Sequence, residues 1–188
     1  MFVVFKVEHF GCINLISKHA FFDVALAQVK NSVAAKLSSA STAFQTANGY
    51  YHCNIDFISV TAHAPKNVLL ASANADCNGE STDWGIFSVD DAAQFLLFKN
   101  VEYGPMSLLN AFESFDSAYS AMKEDLAKEA NEAYDMDFTA EDMEDKTLSN
   151  DYSIFLGFDE SSTDNGAPLA TANLCESTAA IDWCVFKL

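Results

Sequence analysis

Short apolar runs and longer amphipathic stretches alternate along this chain, in an order that occurs twice. FVVFKV (2–7) and FLLFKN (95–100) are apolar runs of strand length, Phe-rich as expected of strands buried on both faces. Each is followed by a loop carrying a glycine, Gly11 or Gly104. Residues 20–38 and 112–134 then place apolar side chains at helical spacing: Phe22, Ala25, Leu26, Val29, Val33 and Leu37 in the first, Phe115, Ala118, Tyr119, Met122 and Leu126 in the second. Beyond the helices, 50–63 and 151–158 predict one pair of strands, 67–75 and 168–174 a second, and 82–89 and 180–187 a third. APKN, CNGEST, DESSTDNG and CESTA supply turns between them.

The two halves also match residue by residue. Between 2–34 and 95–127, at a constant offset of 93, ten of 33 pairs are identical, among them Phe2/Phe95, Phe5/Phe98, Lys6/Lys99, Gly11/Gly104, Phe22/Phe115 and Asp23/Asp116. At offset 99, LASAN (70–74) matches LATAN (169–173), and DWGIF (83–87) matches DWCVF (182–186). The pattern predicts an α+β protein of two tandem βαβββ repeats, 1–92 and 93–188. Each would be a mainly antiparallel sheet carrying one long amphipathic helix, and the pair is expected to pack as one compact unit about a pseudo-two-fold. The βαβββ order is similar to the paired module of vicinal-oxygen-chelate proteins in topology alone, and their metal-site residues have no match here.

Charge changes the picture, because the repeats do not share it. The chain of 188 residues has a net charge of −17, and all ten of its basic residues are lysine. Residues 1–94 hold 8 acids and 5 lysines, and residues 95–188 hold 19 acids and 5 lysines, so the halves carry −3 and −14. Without arginine, the side chain that grips phosphate with a planar fork, direct binding to nucleic acid or to an anionic membrane is excluded as a reading. The excess lies in Glu124, Asp125, Glu129, Glu132, Asp135, Asp137, Glu141, Asp142, Glu144 and Asp145, opposed by Lys123, Lys128 and Lys146. The matching stretch of the first repeat, KNSVAAKLSSASTAFQTANG, is almost uncharged. Folding therefore does not require those acids.

Two readings of the acids compete: a solvated face that keeps a Phe-rich chain soluble, or a partner-binding face. Acids three or four positions apart on a helix stand about 5–6 Å apart, comparable to successive phosphates of a nucleic-acid strand. On the second reading the ten acids occupy the basic groove of a nucleic-acid-handling protein, as an inhibitor or decoy of the sort carried by phages and mobile elements. DMDFTAEDMEDK (135–146) starts like a calcium loop, but Ala140 stands where that loop turns on Gly and Lys146 where it ends on a bidentate Glu. The acidic loop 159–166 has the composition of a hairpin connection. No metal and no cofactor are expected.

Catalytic signatures are absent from the sequence: there is no G-x-S-x-G, phosphate-binding loop, G-x-G-x-x-G, H-E-x-x-H or C-x-x-C. His9, His19, His52 and His63 all lie in the first repeat and suit surface or half-buried positions. His52 and Cys53 are strand neighbours that point to opposite faces, which disfavours a shared metal. Cys12, Cys53, Cys77, Cys175 and Cys184 make an odd number without short paired spacing, as in a reduced, cytoplasmic protein. Neither an export signal nor a membrane span is read. The recurring Asp83-Trp84 and Asp182-Trp183, with Phe87 and Phe186 three residues on, read first as core and second as an aromatic ligand pocket in a cleft between the repeats. Binding to a basic protein is thus the leading expectation. A small-molecule binder or enzyme using that cleft is the second, and a structural protein that self-associates, for instance as a homodimer, is the third.

Overall fold

The computed structural model describes residues 1–8, 13–47, 51–57, 65–77, 80–102, 106–158, 166–175 and 180–188. The chain divides into two compact units, Met1–Asp91 and Ala92–Leu188. The first runs β1 (Phe2–Glu8), β2 (Ile13–His19), α1 (Phe22–Ala47), β3 (Tyr51–Phe57), β4 (Val68–Cys77) and β5 (Glu80–Ser88). The second runs β6 (Phe95–Val101), β7 (Ser107–Phe112), α2 (Phe115–Tyr134), a 3-10 turn (Asp142–Glu144), α3 (Leu148–Asp151), β8 (Ile154–Phe158), β9 (Ala170–Cys175) and β10 (Ala180–Lys187). Each holds one five-stranded antiparallel sheet, in the orders β2-β1-β5-β4-β3 and β7-β6-β10-β9-β8. The protein is α+β.

The expected βαβββ order is corrected to ββαβββ, which ends the topological likeness to vicinal-oxygen-chelate modules. The added strands, β2 and β7, occupy stretches the sequence assigns to loops. Their alternation is broken by a bulge at the same place in each: the partner of β2 steps from Val4 to Phe5 while β2 steps from Ser17 to Leu15, and β7 steps likewise from Asn110 to Leu108. The extra residues, Ile16 and Leu109, are among the few large apolar side chains left exposed. Helix α1 also runs past the expected end at 38 to Ala47, because no Gly or Pro intervenes before Gly49. Gly11, Gly104 and most of the turn 159–166 lie outside the described residues.

One helix lies on one face of each sheet. Ala25, Val29 and Val33 of α1 pack with Val4, Ala71, Ala73, Ala75, Trp84 and Ile86. Ala118, Met122 and Leu126 of α2 pack with Leu97, Ala170, Ala172, Leu174, Trp183 and Val185. The LASAN and LATAN alanines thus lie beneath the helix, where small side chains leave room for the neighbouring indole. Burying such an indole contributes on the order of 4–6 kcal/mol of transfer free energy. The aspartates of the Asp-Trp pairs lie on the opposite face, where Asp83 accepts from Asn74 Nδ2 and Asp182 from Asn173 Nδ2, both at 2.8 Å. Ring packing repeats too: Phe2–Phe22 and Phe95–Phe115 meet edge-to-face at 5.9 Å, and Phe5–Phe87 and Phe98–Phe186 at 6.3 and 6.0 Å.

Candidate functional site

The ten acids of the second repeat sort into three environments. Asp125 and Glu129, one turn apart on α2, face the sheet and share Lys99 of β6, whose Nζ donates at 2.9 Å to Asp125 Oδ2 and at 2.7 Å to Glu129 Oε1. Trp183 Nε1 donates to the same Asp125 oxygen at 2.7 Å, and Lys99 Nζ lies 5.2 Å from the Trp183 ring. Burial pulls the Lys99 pKa down, but the bonds to Glu129 and Asp125 outweigh it and leave it above the ordinary lysine value. These two carboxylates are engaged within the unit.

Four more acids shape the segment after the helix or cross-link the helix. Asp142 accepts from the Thr139 backbone N–H and hydroxyl at 2.7 and 2.8 Å, and Asp145 accepts from those of Thr147 at 2.9 and 2.8 Å. The backbone bonds, with the hydroxyl bonds second, hold both carboxyls below the usual aspartate range. Glu144 accepts from Lys123 at 2.7 Å, tying the 3-10 turn to α2. Glu132 lies 3.8 Å from Lys128, an exposed pair one turn apart. The carboxylates of Glu124, Asp135, Asp137 and Glu141 are exposed and make no hydrogen bond or ion pair among the described residues. The outward stripe of α2 is therefore Glu124, Lys128 and Glu132, with a cation between two anions, and most of the unopposed charge lies in the segment beyond the helix.

That segment is held from beneath. Asp135 ends α2 in the left-handed conformation, with φ 51° and ψ 49°. Asn131 then clamps the returning chain, donating to Phe138 O at 2.9 Å and accepting from Phe138 N at 2.6 Å. Phe138 packs edge-on against Tyr152, and Met143 and Leu148 are buried in the helix-side core. Within 135–145, Phe138 and Met143 thus anchor the segment from beneath, while its carboxylates and Met136 are exposed.

Elsewhere the predicted residues are core. Trp84, Trp183, Phe87 and Phe186 are all buried, but the tryptophans lie under the helices and the phenylalanines on the other face of each sheet, so within a unit they do not line a common wall. His19 bonds Ser17 Oγ at 2.8 Å, and Cys175, whose thiol donates to Asn173 Oδ1 at 2.9 Å, and Cys184 form no disulfide. The His9 and His63 positions, Cys12, and the side chains of His52, Cys53 and Cys77 lie outside the described residues. Among the described residues no group of three or more His, Cys, Asp or Glu side chains is placed to hold a metal, the 135–146 loop included. No described helix is long and apolar enough to cross a membrane. Sequence reasoning treated Asp125 and Glu129 as surface acids and missed Lys99; the available signal was a lysine at the helix-facing alternation of a buried strand, opposite two acids one turn apart. No protein-family model, curated protein or solved structure matches the chain.

Proposed function

We propose that this chain is a non-enzymatic acidic binding protein whose second unit presents the 135–145 segment, flanked by Glu124 and Glu132, to a basic protein that handles nucleic acid. The observation that carries the reading is the Asn131–Phe138 clamp, seconded by the buried Met143 and Leu148. A face that serves solubility alone needs no fixed geometry, whereas a surface that fits a groove gains affinity by being ordered beforehand. The acids of this segment are thus held on a scaffold of their own. Electrostatic attraction from a unit of net charge −14 would speed encounter with a basic groove and weaken as salt rises. Acting there, the protein is an inhibitor or decoy that competes with nucleic acid.

The test neutralises the outward acids and spares those that hold the fold. Glu124→Gln, Glu132→Gln, Asp135→Asn, Asp137→Asn and Glu141→Gln are combined, with Asp125, Glu129, Asp142, Glu144 and Asp145 retained. The native chain is expected to capture from its own cell's lysate a nucleic-acid-binding protein that duplex DNA or raised salt releases, and the folded variant is expected not to. Capture that survives both the substitutions and high salt would sink the proposal.

A further inference from the structure

The two units differ at one node of otherwise matching architecture. Lys99 and Trp183 are cross-strand neighbours, and both donate to Asp125. Lys6 and Trp84 are cross-strand neighbours at the same register of the first sheet. Helix α1 begins at Phe22 as α2 begins at Phe115, and Ala25, Val29 and Val33 take the buried places of Ala118, Met122 and Leu126. This equivalence puts Ser32 where α2 has Asp125, and Lys36 where it has Glu129. A hydroxyl and an ammonium stand where the second unit has two carboxylates.

The consequence falls on Trp84. Like Trp183 it is buried, with 3% of the residue exposed, yet among the described residues its indole N–H has no hydrogen-bond partner. A buried donor left unmatched is destabilising. Its neighbour Lys6 donates to Glu8 at 2.7 Å. That bond holds Glu8 below the usual carboxylate range against a smaller opposing effect of burial, and the charges of Lys6 and Lys36 add to it. Two ammoniums thus bear on one carboxylate close to an unmatched N–H, at the node where the second unit supplies Asp125.

We propose that this node of the first unit is a carboxylate-binding site, in which the incoming carboxylate accepts from Trp84 Nε1 and from the lysine pair as Asp125 accepts from Trp183 and Lys99. The path is open in kind: the Asp125 side chain is 26% exposed and that of Lys6 27%, so the seam between helix and sheet meets solvent at this level. The ligand is a small free carboxylate or the side chain of an Asp or Glu on another protein. The site does not rest on the acidic segment and lies in the other unit.

The two indole N–H signals of the full chain, observed by heteronuclear NMR, test it directly. Sodium acetate probes a free carboxylate, a short C-terminally amidated glutamate peptide probes a side-chain carboxylate, and sodium chloride at equal ionic strength is the control. The Trp84 signal, assigned by its loss in Trp84→Phe or by elimination in Trp183→Phe, is expected to move saturably with at least one probe while the Trp183 signal stays. The probe that moves it identifies the source. Ser32→Asp is expected to move the Trp84 signal without any probe and to remove the response. Lys36→Glu is expected to weaken apparent affinity about tenfold or more, a loss of about 1.4 kcal/mol. A Trp84 signal that follows the chloride control with both probes overturns the proposal, as does a response unchanged in Ser32→Asp or, should that variant not fold, in Lys36→Glu.

Discussion

Asp125 shows how little of a side chain's role is visible in its own identity. In the sequence it is one of ten acids spread over residues 124–145; in the fold one of its oxygens accepts from both an ammonium and an indole. Truncating it leaves Lys99 short of an anion and Trp183 with a buried, unmatched donor. Asp125→Ala is therefore expected to cost about 2–3 kcal/mol in denaturant unfolding, while Glu132→Gln, at an exposed pair, changes stability by less than about 0.5 kcal/mol. Equal losses at both positions would show that the node carries no special weight. Asp182 makes a pH-dependent case. Burial raises its pKa, against the hydrogen bond from Asn173 and with the negative charge of Glu102 adding to the rise. The folded state therefore holds this proton more tightly than the unfolded state, and stability falls as pH climbs from about 4 through the raised value, then levels off. Asp182→Asn keeps an acceptor for Asn173 and removes the titration. Unfolding free energies compared across that interval are expected to show the native chain losing ground to the variant as pH rises.

At the scale of elements, what the sequence displays is what is buried. The Phe-rich runs and the two amphipathic helices are legible because burial imposes a period on their apolar positions. Strands β2 and β7 are not, since each is half-exposed and an inserted residue, Ile16 or Leu109, resets the alternation midway. The distal half of α1 is hidden for another reason, because its Ser- and Thr-rich sequence lacks the apolar period while containing nothing that stops a helix. The acidic segment is legible as charge but not as structure, because its shape depends on an asparagine side chain bonding both backbone groups of Phe138. Asn131→Ala is expected to leave α2 intact and to speed amide exchange at Phe138 and its neighbours by about tenfold or more. Under the proposed function the same change weakens partner capture, although it removes no charge. Unchanged exchange at Phe138 would mean that the segment is held by its apolar anchors alone.

Across the whole molecule, the doubled sequence is mirrored in strand order, bulges, ring pairs and the Asn–Asp bonds, and the halves part company in charge. Self-repulsion at −17 opposes folding, and salt relieves it. Raising sodium chloride from about 20 to about 500 mM is expected to raise the thermal unfolding midpoint, and the variant with five outward acids neutralised is expected to start higher and respond less. A midpoint insensitive to salt in both would place the repulsion below what matters.

The strand orders also set a timetable. Because β1 lies between β2 and β5, Phe2 pairs with Ser88, and the first sheet closes only around nearly the whole of its own sequence. Such long-range pairing is slow, on the order of milliseconds or more. A chain made from its N-terminus can form the β1–β2 hairpin and the helix early, but β1 keeps one bare edge until β5 has left the ribosome. Trp84, carried by β5, is among the last core residues to arrive, and the second unit repeats this schedule with Trp183 on β10.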